Sequence, residues 1–191
     1  KSVFAQSTTV SPYKEIGDGP KKGKKFKAEV PTSYLINLEF ENSIIIQGFM
    51  SFDVINHQRN HMELYGTKGS IIGPDPNMFG GPIFVSLEEG GEWKEYSTEN
   101  MKLGKTNIFN KSLRSNEAPE HANYRGVGLS DMIYSIENNI EHRCNGKLVL
   151  HVLDILELTI KSAETSQRLF MSTTCDKPKP FLEKEISAIM K

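Results

Sequence analysis

A chain of 191 residues with 37% hydrophobic content is long enough to bury a substantial core, as one domain or as one domain with tails. Its 23 Lys and Arg nearly balance 24 Asp and Glu, and a net charge of −1 gives no bulk attraction to nucleic acid or to an anionic membrane. No apolar run approaches the roughly 20 residues that cross a bilayer, the first ten residues hold no secretory apolar segment, and Cys144 and Cys175 show no thiolate-ligand spacing; the expectation is a soluble, cytoplasmic protein with reduced thiols.

In chain order, Ser2 to Val10 alternates loosely and predicts an opening strand, as in a piece of a longer protein. Residues 11–25, punctuated by Gly17, Gly19, Pro20 and Gly23, read as a loop. Its lysines, Lys21, Lys22, Lys24 and Lys25, together with Lys27, read as a solvated hairpin flank ahead of a phosphate-binding patch, since no aromatic platform is interleaved. Phe26, Ala28 and Val30, then Tyr34, Ile36, Leu38 and Phe40, keep one parity and predict an apolar strand face, with Pro31 at a bulge or edge. Glu41-Asn42-Ser43 turns this strand into Ile44 to Val54, whose Ile, Phe and Val suit a pleated sheet.

Past the polar stretch His57 to His61, alternation resumes at Met62, Leu64 and Tyr65. A glycine-bounded turn, Gly66 to Gly69, then leads into Ser70, Ile71 and Ile72. PDPN and GGP supply further turn chemistry. Pro82 to Leu87 and Glu92 to Tyr96 predict another hairpin. Residues 98–123 show no period and are long enough for a lid or a disordered segment.

From Tyr124 the pattern turns helical, with Leu129, Met132, Ile133 and Ile136 at i, i+3, i+4, i+7. A second helix, Leu148 to Ser162, is predicted to turn Leu148, Val152, Ile155, Leu156 and Thr159 to one face. Gln167 to Ser172 reads as a short strand, and Phe181 to Met190 as a small helix with Leu182, Ile186 and Ile189 inward. Strands first and helices last predict an α+β fold with a large, mostly antiparallel sheet and helices on one face.

No G-x-G-x-x-G after a strand, no P-loop and no G-x-S-x-G elbow occurs. Arg125-Gly126-Val127-Gly128 opens a helix after a loop and lacks a third glycine, so a close helix-to-sheet contact outweighs a phosphate cradle. Asp53, His57 and His61 share parity and include H-x3-H, a metal-ligand spacing on helices. On a strand, however, four residues span about 13 Å, so His57 reads as a hydrogen-bonding or surface histidine before it reads as a ligand. His121 beside Arg125 offers a guanidinium fork for a hydroxylated or anionic ligand, or an Arg that holds loop carbonyls at the helix start.

The runs GFMSFDV, ELYGTKGSIIGPDPNMFGGP, RGVGLSDM, HRCNGKLVLHVLDILELTIKSAETSQ and TCDKPKP, in that order, resemble the C-terminal domain of the Gfo/Idh/MocA oxidoreductases, the glucose-fructose oxidoreductase and inositol dehydrogenase family. The resemblance implies residues 1–175 as a substrate-binding and oligomerisation domain, 176–191 as a tail with a short helix, and an N-terminal Rossmann domain, absent here, that binds NAD or NADP. It further implies a sugar, inositol or related polyol as substrate, homo-oligomers formed through the open sheet face, and no cofactor, metal or catalytic residue in this chain alone. By the same likeness Phe52, Asp53 and His57 are the first candidates for substrate contact, and His121 and Arg125 the second. Two other readings are a free-standing β-sheet oligomerisation or binding module, and a metal-dependent hydrolase built on His57 and His61.

Overall fold

Ten strands and three helices form among the described residues, most of them where alternation and helical spacing place them. A computed structural model describes residues 1–109 and 120–190. The strands of the first half are β1 (Ser2–Thr8), β2 (Tyr13–Glu15), β3 (Lys25–Lys27), β4 (Ser33–Glu39), β5 (Ile45–Ser51), β6 (Met62–Gly66), β7 (Gly69–Gly73), β8 (Ile83–Ser86) and β9 (Lys94–Tyr96). The helices α1 (Val127–Glu137) and α2 (Gly146–Thr165) follow, then β10 (Leu169–Phe170) and α3 (Glu183–Ile189). The fold is α+β and its ladders are antiparallel, as the sequence predicts. The strands are shared among a four-stranded sheet β10-β1-β4-β5, a ribbon β2-β3 and a second four-stranded sheet β6-β7-β8-β9. The chain divides into two units: Lys1–His57 with Cys144–Lys179, and the described parts of Gln58–Arg143 with Pro180–Lys191.

In the first unit the register sets Val3 against Leu38 and Ala5 against Ile36, so period-two apolar positions of β1 and β4 share a face. Val3, Ala5 and Ile36 are buried there, with Tyr34, Leu38, Leu158, Ala163 and Leu169 packed around them. The parity from Tyr34 to Leu38 is therefore core-facing, as expected. Pro31, however, divides two strands instead of bulging one: β3 pairs with β2 in the ribbon, and β4 pairs with β1 and β5. Phe26 and Val30 stay exposed. The Lys-rich stretch read as a loop contains β2 and the turn of that ribbon, closed by Gly23 N donating to Ile16 O at 2.9 Å.

Asn145 caps α2, its side chain accepting from Leu148 N at 3.0 Å. The inward face of this helix differs from the expectation. Leu148, Ile155 and Thr159 do turn inward, but with His151, Asp154, Leu158 and Ser162, while Val152 and Leu156 are exposed. Val149, Leu153 and Ile160 join them outside, which leaves an apolar stripe uncovered.

In the second unit β6 to β9 form a meander, and Met62, Leu64, Ile71 and Tyr96 on one face remain exposed. The GGP turn needs its glycines: Gly80 has φ +71, and a Cβ there would stand 2.5 Å from the Gly104 carbonyl oxygen. The spaced residues of α1, Leu129, Met132, Ile133 and Ile136, all face outward, and the buried side is Asp131 and Ser135.

The substantial core that composition allows is not realised among the described residues. Among the described residues, Val3, Ala5, Ile36 and Ala122 are the buried apolar side chains. Of the suspected lid 98–123, residues 110–119 lie outside the described residues. Its flanks are tied down by Glu99, which accepts from Thr106 Oγ1 at 2.6 Å, and by the Ile108–His121 bridge. Among the described residues no helix is long and apolar enough to cross a membrane.

Candidate functional site

β5 ends at Ser51, and the next two residues diverge sharply in environment. Asp53 is gripped: Lys14 Nζ (2.5 Å) donates to Oδ1, and Thr32 Oγ1 (2.5 Å) and Ser33 Oγ (2.7 Å) donate to Oδ2. Its own N–H donates to Ser51 Oγ at 3.0 Å. Lys14 also donates to the Phe52 carbonyl at 3.1 Å, and Phe52 N donates to Thr32 O at 2.8 Å. The backbone around Phe52 is thereby fixed from both sides, while its ring is 88% exposed. Asp53 anchors a turn that holds an aromatic ring out to solvent.

The hydrogen bond from Lys14, then those from the Thr32 and Ser33 hydroxyls, hold the Asp53 carboxyl well below the usual carboxylate range. The sign follows from linkage: the unfolded chain protonates first, so this contribution to stability is present above about pH 4 and is lost progressively as pH falls below that. Asp53→Asn is therefore expected to lower the urea midpoint at pH 7 and to shrink its fall between pH 5 and pH 3. An acid limb as steep as that of the unaltered chain would show the knot to be inert.

His57 is exposed, and its N–H donates to the Asn56 side chain at 2.8 Å. Among the described residues no three His, Cys, Asp or Glu side chains come together as metal ligands would.

His121 and Arg125 do come together, on the stretch leading into α1. His121 N and O exchange hydrogen bonds with Ile108, both at 3.0 Å, and Phe79 bridges Ala122. Asn107 clips the next residue twice: its Nδ2 donates to Asn123 O at 2.9 Å, and its Oδ1 accepts from Asn123 N at 2.7 Å. The Tyr124 hydroxyl donates to Lys105 O at 2.7 Å, and its ring meets Phe79 edge-on with centroids 5.7 Å apart. Arg125 reaches the Asn77 carbonyl at 3.4 Å, the loop-holding role weighed for it. With Met78 and Phe79, His121 and Arg125 line a nook of about 10 Å³, room for a water and no more. Arg125 also borders an open depression of about 360 Å³ beside Tyr124, Ser130, Ile189 and Met190.

The glycines of Arg125–Gly128 do not mark a close helix-to-sheet contact. A Cβ on Gly126 or on Gly128 would meet nothing within 4 Å, and neither has a positive φ.

Three anchors lie outside the site residues that the sequence points to, although His151 reads from sequence as a core-edge residue of the second helix and is half-buried. His151 Nδ1 lies 2.9 Å from Thr173 Oγ1, which donates to Asp154 at 2.7 Å. Asp154 also accepts from the N–H groups of Ser172 and Thr173, and these bonds, the Thr173 hydroxyl foremost, hold its carboxyl below the usual range. Ser162 and Arg143 are the other two. The i, i+3 spacing of His151 and Asp154 was the one available signal for the first.

No family model matches the chain, and no curated protein matches it. Solved structures do. Levoglucosan dehydrogenase in complex with NADH and L-sorbose is 14% identical, with a TM-score of 0.63 over 91% of this chain and 45% of that one. An aldose-aldose oxidoreductase from Caulobacter crescentus, complexed with glycerol, is 16% identical, with a TM-score of 0.56 over 88% and 40%. A putative oxidoreductase from Klebsiella pneumoniae is 12% identical, with a TM-score of 0.58 over 99% and 47%. The chain spans less than half the length of these structures, and over that span it shares the fold of part of each, the α+β fold that its resemblance to a Gfo/Idh/MocA C-terminal domain implies.

Proposed function

We propose that this chain is the substrate-binding and assembly domain of an NAD- or NADP-dependent cytoplasmic oxidoreductase that moves hydride between nicotinamide and a carbinol carbon of a sugar, inositol or related polyol. The observation that carries this reading is a likeness that takes in 88% to 99% of this chain but 40% to 47% of the oxidoreductases it matches. The uncovered apolar surfaces support it. The outward stripe of α2 suits packing against a nucleotide-binding domain, and the open sheet faces, bearing Leu35, Ile45 and Phe49 in one unit and Met62, Leu64 and Ile71 in the other, suit contact between copies.

The nicotinamide supplies the hydride chemistry from the partner domain. This chain's own residues do the positioning: residues 1–175 are its body, and 176–191 a tail. Phe52, held outward by the Asp53 knot, provides an apolar face for a sugar ring and excludes water. His57, four residues past Asp53, and then His121 and Arg125 offer polar contacts to hydroxyls. Alone, the chain turns nothing over.

The reading frame immediately upstream of Lys1 tests this. A frame encoding a dinucleotide-binding half, and a full-length protein that reduces NAD or NADP with a polyol while the 191-residue chain does not, is the expected result. In that protein Phe52→Ala raises KM about tenfold with kcat little changed, the loss of roughly 1.4 kcal/mol of uniform apolar binding. A start codon in place of that frame would leave the free-standing sheet module as the reading.

A further inference from the structure

Two hairpins, one in each unit, carry matched and opposite charge. On the β2–β3 ribbon Lys14 is taken up by Asp53, but Lys21, Lys22, Lys24, Lys25 and Lys27 are exposed, with Glu15 and Asp18 as the acidic residues within the ribbon, an excess of three positive charges. The β8–β9 hairpin carries exposed Glu88, Glu89, Glu92 and Glu95 against Lys94 as its one cation, an excess of three negative charges. None of these lysines and glutamates forms an ion pair among the described residues.

Both are ordered hairpins. In the ribbon Lys22 N donates to Gly19 O at 3.1 Å and Lys24 N to Lys21 O at 3.1 Å. In the other hairpin Gly91 N donates to Glu88 O at 3.0 Å, and Ser86 Oγ lies 3.4 Å from the carbonyls of Glu88 and Gly91. Contrary to the expectation that no aromatic is interleaved with the lysines, pairing of β2 with β3 sets exposed Tyr13 and Phe26 among them, as Trp93 and Tyr96 stand among the charges of the acidic side. Rigid aromatic anchors framed by complementary charge are the composition of an interface, and preordered hairpins lose little entropy on docking.

We infer that the lysine-rich ribbon of one copy of this chain docks on the glutamate-rich hairpin of a second copy. Because the two patches differ, the contact is head-to-tail, and it continues into a ring or a chain of copies. It is independent of association through the apolar sheet faces, which salt does not screen.

Sedimentation velocity separates them. At about 25 mM salt the chain shows an association step that about 500 mM salt weakens by about tenfold or more. Lys22→Glu with Lys24→Glu, and separately Glu88→Lys with Glu89→Lys, each abolish that step. An equimolar mixture of the two variants restores it, since each then offers the other a complementary hairpin. Exposed turn positions keep both variants folded, checked by an unchanged thermal midpoint. Absence of a salt-sensitive step in the unaltered chain, its survival in either variant, or a mixture that fails to restore it overturns the inference. So does tighter binding of a short DNA duplex by the ribbon than of a second copy, which would assign the lysines to a polyanion.

Discussion

Arg143→Met is expected to destabilise the second unit by about 3 to 5 kcal/mol, the cost of leaving a buried carboxylate without its cation. Arg143 Nη1 donates to Asp131 Oδ1 at 2.5 Å, and its own backbone N–H donates to Asp131 Oδ2 at 3.0 Å. The Asp131 side chain is only 5% exposed and the Arg143 side chain 16%, so solvent cannot stand in for either partner. The other arm of the guanidinium reaches Glu185 at 2.7 Å and the Pro180 carbonyl at 3.3 Å, and its plane lies 4.0 Å from the centre of the Phe181 ring. One side chain thus ties α3 and the turn before it to α1. Arg143→Lys is not a rescue, because a point charge cannot fork between two carboxylates and stack on an aromatic at once. Urea unfolding measures the loss, and limited proteolysis reads the release of residues 180–190. Pairing Arg143→Met with Asp131→Asn must cost less than the sum of the two changes. A loss for Arg143→Met under about 1 kcal/mol would mean that the pair behaves as an exposed one.

How far such anchors could be read from sequence depends on whether the deciding partner is near in the chain. The core face of β4 was legible because Tyr34, Ile36 and Leu38 alternate, and a strand has only two faces to choose between. The inward face of α2 was not. Its apolar residues run nearly all round, so spacing could not select a side, and the selection falls to polar groups that bond distant backbone: Asp154 to Ser172 and Thr173, and Ser162 to Ala5. Parity also carried through Pro31 by coincidence. Proline marked an interruption, but that Thr32 N would pair with Thr8 O and its hydroxyl with Asp53 lies in contacts about 20 residues away and more.

The candidate site divides in the same way. His121 and Arg125 are four residues apart, and their shared nook follows from local chain direction. The engagement of both Asp53 oxygens by Lys14, Thr32 and Ser33 gathers separate segments that no spacing rule links. The outward faces of α1 and α2 were illegible for a further reason. Helical spacing reports that a face is apolar, and not whether its cover belongs to the same stretch of chain.

Ser162→Ala is expected to cost about 2 to 3 kcal/mol, well above the usual effect of removing one hydroxyl, because this oxygen completes a ladder that runs out of strand. β10 pairs with β1 for two residues, Ser2 with Phe170 and Val3 with Leu169, and there it ends. The Ala5 N–H, beyond that end and with its residue 1% exposed, donates to Ser162 Oγ at 2.9 Å. The same hydroxyl donates to Gln167 O at 2.5 Å, so one oxygen joins the last turn of α2 to β1 and to the chain leaving the helix. Alanine would leave a buried backbone donor that water cannot reach, which costs about 1 to 3 kcal/mol before the second bond is considered. Thr159→Val supplies the control. Thr159 is likewise buried in α2, at 5% exposure, but its hydroxyl donates to Ile155 O within the same helix, and its loss orphans no backbone N–H. Valine there should cost under about 1 kcal/mol, whereas Ser162→Ala should also speed exchange of the Ala5 amide by roughly thirtyfold, the equivalent of about 2 kcal/mol. Equal losses for the two variants, or an unchanged Ala5 exchange rate, would show that β1 is held by its β4 ladder and apolar packing alone.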